Sequence, residues 1–227
     1  MTNQLQATVQ QQGVGRVSDG NEVLVRATRD GSLITNDYIQ QLAFEGRVFS
    51  ATQGSVTTPV TFLVTAANRP DFWVRVPAGL IVIPLFLNVS IEGATGTLTE
   101  INHKFTSNDI GDGTSTAATA GPRSLRTDQP VGPLGIPRQL ATGDTTAETN
   151  PIELSRTVYI FTAADGATVG AGEAETSQPV QFTWSHKYGV APVLVGPASW
   201  ILYVSATTTQ ATGFAEMVWA EIPAGAI

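Results

Sequence analysis

The sequence contains no cysteine in its 227 residues, and it is poor in histidine and in charged residues. The absence of cysteine excludes a disulfide framework, a thiolate nucleophile and a cysteine-ligated metal. Only 14% of the residues are charged, against roughly 25% in an ordinary soluble domain. A deficit of charge is typical of a protein whose surface is covered by partners, and also of an extracellular β-protein coated with threonine and serine.

Basic residues are scarce as well, with 12 lysines and arginines against 19 aspartates and glutamates and a net charge of −7. A nucleic-acid-binding domain needs a basic face to neutralise phosphates, so we expect no direct binding of nucleic acid. Lysine occurs only at Lys104 and Lys187. The other basic residues are arginines, which are favoured at protein interfaces, and this bias favours a protein that assembles.

The sequence also lacks a long hydrophobic run. The longest, Leu80–Leu87, is far shorter than the ~20 residues of a transmembrane helix, and Pro84 interrupts it. The N-terminus, MTNQLQATVQQQG, lacks the basic flank and the apolar centre of a signal peptide. We therefore expect a chain that is made in the cytoplasm and has no transmembrane segment.

Short alternating apolar stretches dominate the chain and predict β-strands. The densest stretch, Asp71–Ile101, predicts three consecutive strands separated by turns. Pro84 cannot donate a ladder hydrogen bond, so it predicts a bulge or a sheet edge. Trp200–Ala206 and Gly213–Ile222, joined by a threonine-rich turn, predict a β-hairpin. Further strands are predicted at residues 22–28, 47–51, 60–65, 156–163, 180–184 and 190–197.

One short helix is predicted, capped at residues 35–36 and ending by Gly46. The absence of alternating strands and helices excludes a parallel α/β sheet. The pattern predicts an all-β protein: an antiparallel two-sheet sandwich of the jelly-roll type, with one short helix and a long irregular excursion. We expect residues 21–227 to form a single domain, and the glutamine-rich residues 1–20 to form a flexible or interface N-terminal arm.

Segment 103–155 breaks the alternating pattern and is rich in proline, glycine and threonine. An unstructured loop longer than roughly 12–15 residues is unusual in a compact domain. The segment is therefore a disordered insert, a small subdomain, or an extended arm that hydrogen-bonds to a neighbouring copy. We hypothesise that it supplies intersubunit contacts, so that deleting residues 108–150 would leave a folded protein that does not assemble. The candidate interface residues are Arg123, Arg126, Leu134, Ile136 and Arg138.

Candidate residues for catalysis or metal binding are few. Ser185 and His186 are adjacent on a predicted strand, so their side chains point to opposite faces, and His103 is the only other histidine. Asp109 and Asp112 lie in a calcium-like loop, Asn108–Gly113, which lacks the glutamate that an EF-hand needs. This loop has two interpretations: a non-standard structural calcium site near these aspartates, or a plain turn of glycine and aspartate. We expect no other cofactor and no enzyme activity.

Two further groups of residues have both a functional and a structural interpretation. Glu173 and Glu175 would serve glycoside hydrolysis only if they flanked a cleft, and otherwise they are solvated charge on a surface loop. The tryptophans would serve as a sugar-stacking platform, but their apolar neighbours two residues away favour packing in a core or an interface. These are Trp73, Trp184, Trp200 and Trp219.

Three stretches resemble a known class of proteins. They are Arg29–Leu33 leading to Glu45–Arg47, the turn and strand VPAGLIVIP at 76–84, and the closing Phe214–Pro223. In these stretches the chain resembles the predicted virion structural proteins of marine bacteriophages, and in overall pattern it resembles viral jelly-roll capsid subunits. The resemblance spans most of residues 22–223 and is weakest in segment 103–155. It implies a coat protein that tiles a shell through arms and loops and has no catalytic activity.

We therefore expect a capsid subunit, made in the host cytoplasm, that assembles with copies of itself and with other virion proteins into the virion. Its acidic balance favours an outer-shell or decorating position over one against the genome. Two alternatives stay open. A decoration or spike module that binds a receptor or a glycan would be a trimer with an exposed patch of aromatic residues and asparagine. A β-sandwich hydrolase would hold paired carboxylates in a cleft.

Overall fold

The computed structural model describes residues 37–55, 57–64, 66, 68–94, 98–118, 120–128, 132–160, 180–189, 192–206 and 210–226. The predicted arm at 1–20 and the predicted strand at 22–28 lie outside these residues. Within them the chain forms one α-helix and thirteen β-strands, which belong to two antiparallel sheets. The predicted all-β sandwich with one short helix is confirmed.

The elements are numbered in chain order. They are α1 (Tyr38–Phe44), β1 (Val48–Gln53), β2 (Val60–Thr61), β3 (Phe72–Val76), β4 (Leu80–Ala94), β5 (Leu98–Thr106), β6 (Thr114–Ala117), β7 (Ala120–Ser124), β8 (Ile136–Gly143), β9 (Ile152–Ile160), β10 (Val180–Ser185), β11 (Leu194–Val195), β12 (Ala198–Ala206) and β13 (Ala211–Pro223). Two short 3-10 turns follow β10 and β13, at His186–Tyr188 and Ala224–Ala226.

Eight strands form the two layers of the sandwich. Sheet I contains β10, β4, β13 and β1 in that order, and sheet II contains β3, β12, β5 and β9 in that order. Along the chain these strands alternate between the two sheets, except at the step from β5 to β9. The order is consistent with the predicted jelly roll, in which two Greek keys wrap into a double sheet.

The predicted hairpin of Trp200–Ala206 and Gly213–Ile222 is wrong. β12 lies in sheet II and β13 lies in sheet I, so the two strands lie on opposite sides of the core and are not ladder partners. β13 pairs instead with β4 and β1. Alternation shows which face of a strand is buried, but it carries no information on the sheet to which the strand belongs.

The main core fills the space between the sheets, and the tryptophans belong to it or to smaller clusters. Trp200 of sheet II and Trp219 of sheet I are fully buried in this core, and Trp184 packs against it. Trp73 is fully buried in a separate cluster on the outer face of sheet II. Each indole removes roughly 150–250 Å² from water. The packing role predicted for the tryptophans is confirmed.

Pro84 marks a bulge in β4, as its missing N–H predicts. Val218 and Trp219 of β13 pair with Phe86 and Pro84, which leaves Leu85 as the extra residue on β4. Leu85 therefore belongs to an apolar cluster on the outer face of sheet I. This cluster is where α1 packs on the sheet.

Asp37 is the N-cap of α1, and its Oδ1 accepts a hydrogen bond from the backbone N–H of Ile39 (2.8 Å). The predicted cap at 35–36 lies outside the described residues. Leu42 is buried against the sheet. The helix is followed by Gly46, whose φ of 73° lets the chain turn sharply into β1, as the sequence predicted.

Segment 103–155 adds three strands to the sheets instead of forming an irregular excursion. β7 extends sheet I beside β1, and β8 and then β6 extend sheet II beside β3. In its described part the segment is therefore neither a disordered insert, nor a separate subdomain, nor an arm that needs a neighbour for its hydrogen bonds. Its prolines argued against strands, but Pro122 lies on the edge strand β7, where proline is tolerated.

Candidate functional site

The calcium-like loop Asn108–Gly113 folds over the outer face of sheet II and is fixed there by Ile110. The side chain of Ile110 is fully buried in a cluster with Trp73, Ile201 and Tyr203. These three residues point away from the main core, so without the loop they would be exposed on the face of the sheet. Segment 103–155 thus covers part of its own sheet.

Asp109 and Asp112, the carboxylates of this loop, are bound by two arginines from the sheet. Arg75 forms a bidentate pair with Asp109, with Nε to Oδ1 and Nη2 to Oδ2 both at 2.7 Å, and its Nη1 lies 2.5 Å from Asp112 Oδ1. Arg138 holds Asp112 through Nε (2.9 Å) and Nη2 (2.6 Å). The oxygens that a calcium loop would offer to a cation here accept hydrogen bonds from guanidinium groups.

The arginines also set the electrostatics of the loop. Burial would raise the pKa of Asp109, but hydrogen bonds from Arg75 and from the Gly111 N–H outweigh it, so that this pKa is lowered. The hydrogen bond to Asp109 in turn raises the pKa of Arg75. Because the four charged groups are partly exposed, each pair contributes on the order of 1 kcal/mol or less to stability. The cluster mainly fixes the position of the loop on β3 and β8.

The three arginines predicted for an interface differ in what they contact. Arg138 binds the calcium-like loop, as described above. Arg126 forms an ion pair with Asp128 (2.8 Å) and donates through Nη1 to the backbone oxygen of Phe44 (2.5 Å). Arg123 is exposed on β7. Two of the three therefore stabilise their own chain, which the sequence pattern did not indicate.

The two predicted apolar interface residues, Leu134 and Ile136, are both exposed. Leu134 is 65% exposed although its backbone is firmly held. The buried carboxylate of Glu221 accepts from the N–H of Leu134 at Oε2 (2.8 Å), and from the N–H of Gly135 (2.9 Å) and Trp219 Nε1 (2.8 Å) at Oε1. A carboxylate with three N–H donors fixes a turn strongly. Leu134 is thus presented to solvent on a rigid turn.

Glu148 anchors the return of segment 103–155 on sheet II. Its Oε1 accepts a hydrogen bond from the Tyr203 hydroxyl (2.7 Å), and its Oε2 lies 2.8 Å from Lys104 Nζ. Lys104 Nζ also lies 4.4 Å from the centre of the Tyr203 ring, within the range of a cation–π contact. Burial and then the bond to Glu148 raise the pKa of Tyr203, so its hydroxyl remains a donor.

His103 lies inside the sandwich between Trp184 of sheet I and Trp200 of sheet II, with ring centroids 4.9 Å and 5.7 Å away. Trp200 Nε1 donates to His103 Nε2, and His103 Nδ1 lies 3.5 Å from Ser155 Oγ. Because Nε2 accepts, the proton of the neutral ring is on Nδ1, and this nitrogen cannot take a proton from Ser155. Burial lowers the pKa of His103 to about 3. His103 is a neutral core residue in a geometry that does not suit a catalytic base.

Ser185 and His186 make separate contacts. Ser185 Oγ accepts from the N–H of Lys187 (3.3 Å), and His186 Nδ1 lies 3.0 Å from the backbone oxygen of Leu85. The loop that carries Glu173 and Glu175 lies outside the described residues. In the described parts of the chain, no group of three or more histidine, aspartate or glutamate side chains is placed to hold a metal ion.

A row of polar side chains crosses the outer face of sheet I away from α1. Asn88 Oδ1 accepts hydrogen bonds from Gln181 Nε2 and Thr183 Oγ1, both at 3.1 Å. Glu216 lies opposite Asn88 in the ladder, and its Oε1 accepts from Ser50 Oγ (2.9 Å). The row spans β10, β4, β13 and β1, and its members Gln181 and Thr183 are exposed.

Comparisons of the chain with protein-family models, with curated proteins and with solved structures found no match. Over the ranges that the structure describes, no helix is long and apolar enough to cross a membrane. The candidate function therefore depends on the residues themselves and on how the fold arranges them.

Proposed function

We propose that this protein is a structural subunit of a bacteriophage virion, a coat protein that assembles with copies of itself and with other virion proteins into the shell. The observation that carries the proposal is a two-sheet sandwich, with a strand order consistent with a jelly roll, that exposes large hydrophobic side chains on several of its elements. Viral coat proteins, lectins and cupins share this architecture, so the strand order alone does not decide between them. The exposed side chains favour a protein whose rims contact other molecules.

The exposed hydrophobic residues lie on several elements, and three of them lie close together in the sequence. Single exposed apolar residues are ordinary, but neighbouring ones mark contact surfaces. Tyr188, Val193 and Val195 are 78%, 56% and 59% exposed and lie within eight positions of each other between β10 and β12. The other exposed large hydrophobic residues are Tyr38, Phe44, Val64, Leu125, Leu134, Ile136, Ile152 and Val158.

The composition supports the same proposal. With only 14% charged residues, much of the surface lacks the charged side chains that keep monomers apart. Arginine also outnumbers lysine, as it does at protein interfaces. The net charge of −7 disfavours a position against the phosphates of the genome, so we place the subunit in the outer shell or on it. Catalysis is not part of the proposal, because His103 is neutral and buried and the carboxylates of Glu148 and Glu221 are engaged in structural bonds.

A decoration or spike module that binds a receptor or a glycan is the second candidate. The polar row on sheet I favours it, since amide and carboxylate groups such as those of Asn88, Gln181 and Glu216 are suited to bind sugar hydroxyls. Such a module would form a closed trimer and would not form a lattice. The two candidates therefore differ in the assembly that the purified protein forms.

Negative-stain electron microscopy of the purified full chain, with light scattering after size exclusion, tests the proposal. A coat protein is expected to form shells or sheets above a threshold concentration. Discrete trimers that do not grow with concentration would favour the second candidate. A protein that stays monomeric up to millimolar concentration, in low and high salt, would contradict both.

A further inference from the structure

The two sheets end in four edge strands, apart from the two-residue strands β2 and β11. Among the strands that the structure describes, β10 and β7 lie at the edges of sheet I, and β6 and β9 lie at the edges of sheet II. An edge strand presents backbone N–H and C=O groups that can pair with another chain. Proteins usually prevent such pairing with proline, charged side chains, bulges or very short strands.

Three of the four edges carry such protection. β7 contains Pro122 and Arg123. β9 contains Glu153 and Arg156 and has an irregular register against β5. β6 is only four residues long and has an irregular register against β8. These three edges are therefore poorly suited to pair with a further strand.

The fourth edge, β10, carries none of these features. Its six residues, VQFTWS, include no charged residue, no proline and no glycine. It pairs with β4 in an unbroken antiparallel register, from Val180 opposite Ile91 to Ser185 opposite Phe86. A regular, uncharged edge strand of this length is a template for the addition of another strand.

The main core is also incompletely covered along β10. Val180, Phe182 and Trp184 pack against this core but are only partly buried. Their ladder partners on β4, one strand further into the sheet, are almost completely buried; they are Ile91, Val89 and Leu87. A further strand beside β10 would cover the three half-buried side chains, and the apolar surface removed from water would stabilise the contact.

One long hydrogen bond joins β10 to the edge strand of the other sheet. The Tyr159 hydroxyl of β9 donates to the backbone oxygen of Gln181 on β10 at 3.3 Å. An O–H···O bond is typically ~2.7–2.8 Å long, so this one competes only weakly with a ladder hydrogen bond to the same oxygen. The bond also shows that the edges of both sheets lie on the same side of the sandwich.

We propose that β10 pairs antiparallel with β10 of a second copy of the chain, across a two-fold axis, so that sheet I continues from one subunit into the next. This inference rests on the self-association proposed above and names one contact for it. It requires two copies to meet at β10, and it does not require them to build a shell.

A second copy fits this edge because the strand is complementary to itself. Directly opposite residues of paired strands lie on the same face, so Val180, Phe182 and Trp184 of one copy meet the same three residues of the other on the core side. Gln181 and Thr183 meet their counterparts on the outer face, and no like charges are opposed. A partner of unrelated sequence would need the same alternation to match both faces.

Cross-linking through an introduced thiol tests the contact, because the chain contains no cysteine. Thr183→Cys places a thiol on the exposed outer side of β10, and Thr116→Cys, the matched control, makes the same change at an exposed position of β6. The full chain of each variant is treated with a short bismaleimide, which spans directly opposite and diagonal positions of paired strands. Thr183→Cys is expected to form a cross-linked dimer at least tenfold faster than Thr116→Cys. Equal rates, or no dimer because another segment occupies the edge, would overturn the proposal.

Lysines on the same edge provide a second test. Gln181→Lys with Thr183→Lys places like charges beside each other across the axis, and either lysine can still donate to Asn88 as the native side chains do. Sedimentation of the variant is expected to show a dissociation constant of the dimer at least tenfold higher than that of the wild type. Thr114→Lys with Thr116→Lys adds the same charge to β6 and should change it little. Equal increases in both variants would reflect net charge and contradict the proposal.

The failure of this contact and the failure of the proposed function are distinguishable. Shells that form although Thr183→Cys reacts no faster than Thr116→Cys would overturn the contact and leave the coat-protein proposal standing. Dimers that are cross-linked through β10 and never grow into larger assemblies would support the contact and contradict the shell.

Discussion

Asp71 and His103 are two buried ionisable residues whose environments favour their neutral forms. Asp71 accepts hydrogen bonds from the N–H of Leu63 at Oδ1 and from the N–H of Val204 at Oδ2, both at 2.6 Å. Burial raises the pKa of Asp71 to about 7 although these two bonds lower it. The pKa of His103, lowered by burial, is about 3. Both residues therefore link stability to pH.

The two residues act in opposite directions over nearly the same pH range. Between pH 3.8 and about 7, folded Asp71 keeps a proton that the unfolded chain has lost, so the free energy of unfolding falls as pH rises. Between pH about 3 and 6.5, unfolded His103 binds a proton that the folded protein lacks, so the free energy of unfolding rises with pH. Each slope is about 1.4 kcal/mol per pH unit, and from pH 4 to 6.5 they oppose each other.

We expect Asp71→Asn to reveal the slope of His103. Between pH 4.5 and 6.5 the free energy of unfolding of the variant should rise about 2–3 kcal/mol more than that of the wild type. The variant should also lose about 1–3 kcal/mol at low pH, because the amide NH₂ of asparagine faces a backbone N–H donor. Urea unfolding at several pH values measures both effects. A slope equal to that of the wild type would show that Asp71 is ionised in the folded protein across this range.

His103→Gln is expected to change the slope in the opposite sense. Glutamine keeps an oxygen that accepts from Trp200 Nε1, but it does not titrate. The free energy of unfolding should therefore fall between pH 4.5 and 6.5 relative to the wild type, by about 2–3 kcal/mol. Urea unfolding over the same pH series measures it. An unchanged slope in this variant would mean that His103 gains a proton in the folded state well above pH 4.

At the scale of residues, the sequence predicted which side chains are buried better than it predicted their hydrogen-bond partners. The tryptophans were assigned to packing because their neighbours two positions away are apolar, and a local pattern is enough for that. Glu221 was not singled out, although a lone carboxylate in the apolar stretch of β13 needs buried donors. One donor, Trp219 Nε1, lies two positions away, but the other two, the N–H groups of Leu134 and Gly135, lie more than eighty positions away, and no local pattern connects them to Glu221.

At the scale of elements, Ile110 fastens the calcium-like loop to sheet II, and its truncation is expected to free the loop. We expect Ile110→Ala to lower the free energy of unfolding by about 2–5 kcal/mol, because the side chain is fully buried with Trp73 and Ile201. Ile152→Ala, at a position that is 58% exposed, is the matched control and should cost far less. Urea unfolding followed by tryptophan fluorescence measures both. Similar losses in the two variants would contradict the anchoring role.

The strands predicted outside segment 103–155 and within the described residues have counterparts in the structure, some shorter than predicted. The strands inside that segment were missed because β6 is only four residues long, β7 carries Gly121 and Pro122, which an edge strand tolerates, and Pro137 lies near the start of β8. The pairing of β12 with β13 was wrong for another reason. In this sandwich the layer strands that follow each other in sequence lie in opposite sheets except for β5 and β9, and this long-range arrangement leaves no trace in the local pattern.

At the scale of the whole molecule, segment 103–155 belongs to the fold. Its strands extend both sheets, its loop buries Trp73, and Glu221 and Lys104 bind it from the sandwich. Deleting residues 108–150 would therefore expose apolar surface and leave buried charges without partners. The deletion is expected to disturb folding as well as assembly, so it does not test assembly alone. Single substitutions at exposed positions are needed to change assembly without changing folding.

Tyr188 offers such a position on the rim of sheet I. It is 78% exposed in the short turn after β10, five and seven positions before the exposed Val193 and Val195. If copies of the chain meet there, Tyr188→Asp places a charge in an apolar contact and should raise the threshold concentration for assembly at least tenfold, or about 1.4 kcal/mol. The free energy of unfolding should stay within about 0.5 kcal/mol, because the side chain is on the surface.

Asn150→Asp is the matched control, because it adds the same charge at an exposed polar position of segment 103–155. Light scattering across a concentration series gives the assembly threshold, and urea unfolding gives the stability of each variant. If Tyr188→Asp and Asn150→Asp raise the threshold equally, the effect is that of net charge, and the rim between β10 and β12 is not a contact surface. If only Tyr188→Asp raises it while both remain folded, the apolar rim joins the subunits.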